Sequence, residues 1–161
     1  MSKKKIVVGV SDAHISDDQD HVLATYSLGS CIGVCLYDPA IYFGGMLHFQ
    51  LPDSKTDPGR AKEKPLMFAD TGMEMLIESM IYRGANKKRL VIKIAGGAAM
   101  DMGPQGFDIG KRNYVAIRKV LWKHGMFIDA EDVGGDQPRN MHMSIANGIV
   151  IIRNGGLEKK L

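Results

Sequence analysis

Short apolar runs alternate with polar punctuation along the chain, and the spacing of the apolar positions sorts them into strands and helices. Lys5–Val10 reads as a short strand and His21–Tyr26 as a second. Ser27-Leu28-Gly29-Ser30 follows as a turn, and Cys31–Tyr37 is an almost unbroken apolar run closed by Asp38-Pro39. A short run rich in Val and Ile and bounded by turn residues predicts a buried strand. Tyr42–Leu51 predicts another, ended by Pro52, and Asp38–Ile41 is short enough to join the two as a hairpin. From Asp53 to Lys64 the composition turns polar, which predicts an exposed, mobile loop.

Two helices are predicted beyond that loop. Ala69, Met73, Leu76, Ile77 and Met80 share one face at three- and four-residue spacing, with Asp70 offering an N-cap and Gly84 a C-terminal stop. A second helix runs from about Gly110 to His124, with Tyr114, Ile117 and Leu121 as its apolar stripe and Lys111, Arg118 and Lys119 on its wet side. Leu90–Ile94 between them reads as a strand broken by Gly96-Gly97, and Phe127–Val133 as another, closed by Gly134-Gly135. Asn147-Gly148, between Met141–Ala146 and Ile149–Arg153, predicts a two-residue hairpin turn of type I′. Strands come first, then alternate with two helices, then end in a hairpin. That order predicts a mixed α/β layered sandwich, with the helices covering one face of the sheets.

Length and charge narrow the function. The 161 residues suit a single domain, 1–161, with a core at about 5–153 and short basic tails. A net charge of +3, with 21 cations and 18 anions spread along the chain, argues against a dedicated nucleic-acid binder. No segment approaches the roughly 20 apolar residues of a membrane span. Met1-Ser-Lys-Lys-Lys5 imitates the start of a signal peptide, but Ile6–Val10 is too short to continue it, so a cytoplasmic protein is expected. There the two cysteines, Cys31 and Cys35, should be free thiols.

The densest chemistry lies in Thr25-Tyr-Ser-Leu-Gly-Ser-Cys31-Ile-Gly-Val and in His48. A thiol just after a glycine turn is held rigidly beside backbone N–H groups, here near Gly29 and Ser30, that can bond an oxyanion. An imidazole makes such a thiol a nucleophile by taking its proton and stabilising the thiolate. His48 can be that partner if the strands of Cys31 and His48 are antiparallel neighbours, and the Thr25 hydroxyl can orient the imidazole. The plain alternative is that both cysteines are small core hydrophobes; Cys35, on the same strand face as Cys31, is expected to be one. A zinc site from Cys31, Cys35, His48 and His142 competes, but no Cys-x-x-Cys or His-x-x-x-His spacing supports it. Ala95-Gly-Gly-Ala98 and Val133-Gly-Gly-Asp136 lack the spacing of phosphate-binding loops. Met100, Met102, Met141 and Met143 are read as core filler or, where exposed, an adaptable binding surface.

Taken together the motifs resemble the chemoreceptor glutamine deamidase family, CheD, of chemotaxis. The resemblance is carried by Leu28-Gly-Ser-Cys31-Ile-Gly-Val, His48 with Leu51-Pro52, Lys93-Ile-Ala-Gly-Gly-Ala98 with Met100, Ile109-Gly-Lys-Arg-Asn113, and Asp132-Val-Gly-Gly135 with Arg139, in the family's order. It implies a cysteine hydrolase that converts glutamines of methyl-accepting chemotaxis receptors to glutamate with release of ammonia. The nucleophile then falls on Cys31, the base on His48 and the orienting hydroxyl on Thr25, with no metal or cofactor. It also implies a fold similar to toxin-type deamidases, with mainly antiparallel sheets covered by helices, and a CheC-type phosphatase as partner. A monomer is expected. The alternatives are a non-catalytic adaptor that binds receptors or the phosphatase, and a methylesterase or small-amide hydrolase using the same pair of residues.

Overall fold

A computed structural model describes residues 3–100 and 108–161, so Met102 lies outside the described residues. Its strands form two five-stranded sheets. The first orders β1 (Lys4–Val7), β3 (His21–Leu28), β8 (Arg139–Ser144), β9 (Val150–Asn154) and β10 (Leu157–Lys160). In the second, β2 (Asp12–Ser16), β5 (Phe43–Phe49), β4 (Ile32–Asp38), β6 (Val91–Gly96) and β7 (Ala130–Val133) lie side by side. Pairing is antiparallel throughout except at β1–β3 and β6–β7. The expected mixed α/β sandwich of mainly antiparallel sheets is the fold observed.

Every residue of β4 and β5 is buried, because the second sheet is the middle of three layers. On its outer face lie α2 (Ala69–Tyr82) and α3 (Ile109–Lys123), and the core between them takes Ile32, Val34 and Leu36 from β4 with Phe43, Leu47 and Phe49 from β5. Its inner face packs on the first sheet through Cys35, Tyr37 and Met46 against Leu23, Met141, Met143 and Ile152. Strand alternation thus divides each of these strands between two cores. Helix α2 buries all five of its predicted apolar residues.

Several local expectations are corrected. Residues 53–64 are mostly exposed, as expected, but they form helical turns: Asp53 caps a 3-10 turn at Ser54–Thr56, and Asp57 caps α1 (Pro58–Glu63). Asp70 is not the N-cap of α2. Phe68 holds that position, and the Asp70 carboxylate instead accepts bonds from the Ser54 N–H and hydroxyl, tying the loop to the positive end of the helix. The buried stripe of α3 is Gly110, Asn113, Ile117 and Leu121; Tyr114 stands beside it, its hydroxyl on Glu131. The β8–β9 turn is not type I′. Met143 pairs with Val150, the Ser144 N–H bonds Ile149 O, and four residues form the loop, with only Gly148 at positive φ. The supposed C-terminal tail supplies β10, and a strand at Asp12–Ser16 went unpredicted because its apolar content is only Ala13 and Ile15.

Candidate active site

The chain crosses from the first sheet to the second between β3 and β4, and Cys31 sits at that crossing. A register shift between Thr25 and Leu28, with Ser27 at positive φ and its N–H on Asn140 Oδ1, bends β3 there. The Gly29 N–H bonds Ser27 O within the turn. That bond occupies the Gly29 donor within the turn. On the carbonyl side, Gly29 O accepts from the Ala98 N–H and Cys31 O from the Gly97 N–H, so the Ala95–Ala98 motif is the wall against which the turn is built.

The antiparallel hairpin of β4 and β5 is the one expected, with Gly33 opposite His48. Cys31 precedes β4 by one residue and lies two residues from Gly33, so extending the register places it diagonally across the strand pair from His48. Gly33 has a reason to be glycine. A Cβ there would lie 3.0 Å from Leu28 Cδ1 and Met141 Sδ and 3.4 Å from Thr25 Cγ2, in the space between the sheets where His48 meets Thr25.

Thr25 and His48 are both buried, and Thr25 Oγ1 lies 2.7 Å from His48 Nδ1. The threonine has one hydroxyl proton, and it is donated to Val8 O at 2.8 Å. The bond to Nδ1 must therefore be one that Thr25 accepts, which fixes the neutral ring as the Nδ1–H tautomer. Its basic Nε2 is left buried with no hydrogen-bond partner among the described residues. Burial pushes His48 down to about 4, and burial also raises the Cys31 thiol against the lowering effect of its own backbone N–H. Both shifts favour the uncharged forms, a thiol and a neutral imidazole. Such a site can still move a proton from sulfur to nitrogen as a substrate arrives, since catalytic hydrogen bonds often tighten only in the complex.

The other candidates separate from this centre. Cys35 is buried between the sheets, its Sγ 3.8 Å from Met141 Sδ, and burial raises its thiol strongly. His142 packs edge-on against Tyr26 in a groove with Lys5 and Arg153, while its neighbours Met141 and Met143 point between the sheets. The four residues weighed for zinc do not converge, and among the described residues no three His, Cys, Asp or Glu side chains are grouped to hold a metal. Both cysteines are free. Among the described residues no helix is long and apolar enough to cross a membrane.

Two residues of the quoted motifs acquire structural roles that the sequence reading did not assign. Arg139 is buried and donates to the carbonyls of Asp132, Gly134 and Gln137 and to the Asp132 carboxylate, clamping the glycine loop whose Gly135 O accepts from the Ala99 N–H. Asn113, wholly buried on α3, donates to Ser30 O and Gln50 O. A lone amide on an otherwise apolar helical stripe is the signal that could have singled it out.

Comparison with known proteins places the chain among those of chemotactic sensory transduction: the family model CheD, so described, matches residues 50–154. A probable chemoreceptor glutamine deamidase CheD of Solibacter usitatus is 50% identical over 159 residues, covering 98% of this chain and 94% of that protein. Proteins named probable chemoreceptor glutamine deamidase CheD 1 of Syntrophus aciditrophicus and CheD 2 of Anaeromyxobacter dehalogenans are each 40% identical, over 151 and 150 residues, covering 94% and 93% of this chain and 94% of each relative. The chain belongs to the CheD family.

Proposed function

We propose that the protein is a glutamine deamidase of chemotaxis receptors, working through Cys31 and His48. One observation carries the reading: a buried imidazole whose Nδ1–H is held by Thr25, and whose Nε2 has no partner, stands diagonally across the strand pair from a partly exposed thiol. An adaptor has no use for that arrangement, and the names of the relatives supply the substrate.

The reaction runs in two halves. Nε2 takes the Cys31 proton as sulfur attacks the side-chain amide carbon of a glutamine, and the oxyanion is met by the N–H groups of Ser30 and Cys31. The imidazolium returns the proton to the amide nitrogen, the C–N bond breaks and ammonia leaves, giving a thioester. Nε2 then deprotonates a water that attacks the thioester; the C–S bond breaks, sulfur regains a proton, and the receptor leaves with a glutamate side chain in place of the glutamine. No metal or cofactor enters any step. The protein is a cytoplasmic monomer in this reading, and a CheC-type phosphatase is its regulatory partner.

The test is mass spectrometry of receptor peptides incubated with the protein, looking for the conversion of glutamine amide to carboxyl with ammonia appearing in step. A Cys31→Ala protein that still converts them ends the cysteine assignment. The pH dependence is equally specific. Because burial holds His48 at about 4, the base stays unprotonated well below the usual histidine range. The acid limb of kcat/KM should fall near pH 4, with little loss between about pH 7 and pH 5. A limb at the ordinary histidine value, in protein that circular dichroism shows to be folded, would rule out this buried imidazole as the base.

A further inference from the structure

Asn113 is a polar side chain with no exposed surface, set in the apolar stripe that α3 presses onto the second sheet. Burying an amide is costly unless its hydrogen bonds are met, so its presence there needs a reason. Its Nδ2 donates two bonds of 2.9 Å, one to Ser30 O and one to Gln50 O. Ser30 precedes the thiol residue, and Gln50 is two residues beyond His48. The strand register, extended by one residue, sets Cys31 opposite Gln50. A single amide group therefore holds together the open end of the hairpin, where both reacting side chains stand.

The bond to Ser30 also fixes a direction. No peptide bond among the described residues is cis, and across a trans peptide the carbonyl and the following N–H point in opposite directions. The Ser30 carbonyl is turned inward to α3, so the Cys31 N–H is turned away from it. The neighbouring carbonyls of Gly29 and Cys31 are held from inside by Ala98 and Gly97. Burial raises the Cys31 thiol, and the residue's own backbone N–H acts in the opposite sense.

We propose that Asn113 is a positioning residue for the thiol centre: by holding the Ser30 and Gln50 carbonyls it sets the Ser30–Cys31 peptide plane so that the Cys31 N–H faces the sulfur and the oxyanion. The part concerning the oxyanion rests on the deamidase reading, whereas the part concerning the sulfur does not. The experiment therefore reads the two separately, in Asn113→Ala and in Asn113→Asp, which keeps the size but replaces the donating amide by an acceptor. The first readout is alkylation of Cys31 by iodoacetamide against pH, followed by peptide mass spectrometry. In both variants the profile should move to higher pH, with the rate near pH 8 about tenfold lower. Deamidation should lose about 10- to 100-fold in kcat with KM nearly unchanged, because the interaction acts in the transition state. A shifted alkylation profile in a protein without deamidase activity would uphold the positioning of sulfur and overturn the reaction assigned to it. Profiles superimposable on the wild type, in folded variants, would overturn the proposal. So would the failure of both variants to fold, since Asn113 would then be a residue of the core alone.

Discussion

Strand β4 carries a buried polar cluster at each end, and the two are built on opposite rules. At its C-terminal end Asp38 is fully buried with both oxygens engaged. Arg89 donates to each of them at 2.9 Å, and the N–H groups of Asn86 and Ala40 complete the set. Burial alone would raise this carboxyl, but the bonds from Arg89, Asn86 and Ala40 outweigh it and hold the pKa below the usual range. At the N-terminal end His48 Nε2 and Asn113 Oδ1 are buried with no partner among the described residues. A saturated cluster has nothing left to exchange and can only fix the chain. An unfilled buried lone pair is a cost to stability, and under the proposed reaction that cost has a reason, because the lone pair would accept a proton.

The comparison breaks first at its functional end. Cys31→Ala should lower kcat by at least about a thousandfold, and His48→Gln nearly as much, because groups that act as one unit fail together. Neither should lower the melting temperature appreciably, since Cys31 is only partly buried and His48 has an unmet nitrogen to lose. Thermal scans beside the deamidation assay decide this, and a large loss of stability without loss of activity would reverse the assignment. At the saturated end Asp38→Ala should do the opposite. It strands the Asn86 and Ala40 N–H groups and frees Arg89, at a cost of about 3 kcal/mol. The urea midpoint should fall, while kcat stays near the wild-type value wherever the protein remains folded.

A smaller effect is expected at Thr25, which acts on the reaction through another residue. Thr25→Val keeps the shape but removes the acceptor of the Nδ1–H, so the imidazole loses its fixed tautomer and orientation. The expected loss is about 10- to 100-fold in kcat. Val8 O also loses its donor, which should cost about 1 kcal/mol. A Thr25→Ser variant, which retains the hydroxyl, should recover most of the activity. Equal kcat in the Val and Ser variants would show that the hydroxyl does not orient the ring.

What could be read in the sequence was whatever repeats along it. The apolar spacing of Ala69–Met80 named all five of its buried residues, and the run Cys31–Tyr37 announced a strand with no exposed face. The antiparallel pairing of β4 with β5, which sets Gly33 opposite His48, followed from one local signal, a short hairpin loop. Features that depend on distant chain were hidden. Thr25 and His48 face each other only because two sheets stack, and the donors to the turn at Cys31 come from residues 97, 98 and 113. The direction of both pKa shifts was hidden for the same reason: a sequence does not say that burial disfavours the charged form of each group. Asn147-Gly148 misled because a glycine at positive φ serves a four-residue loop as well as a type I′ turn, and residue spacing alone does not choose between them.

The smallest effect is expected closest to the largest. Cys35 lies four residues from Cys31 on the same strand face, but between the sheets the environment changes from a partly open edge to a closed core. Its thiol is raised strongly by burial and touches Met141 Sδ, so it lacks the access that a nucleophile needs. Cys35→Ala removes one sulfur atom from a packed layer and should cost about 1 kcal/mol, with kcat within about twofold of the wild type. Iodoacetamide should label Cys31 in the native protein and reach Cys35 only on unfolding. If Cys35 proves the essential thiol and Cys31 dispensable, the chemistry lies in the closed core, and the unfilled lone pair of His48 would need another explanation.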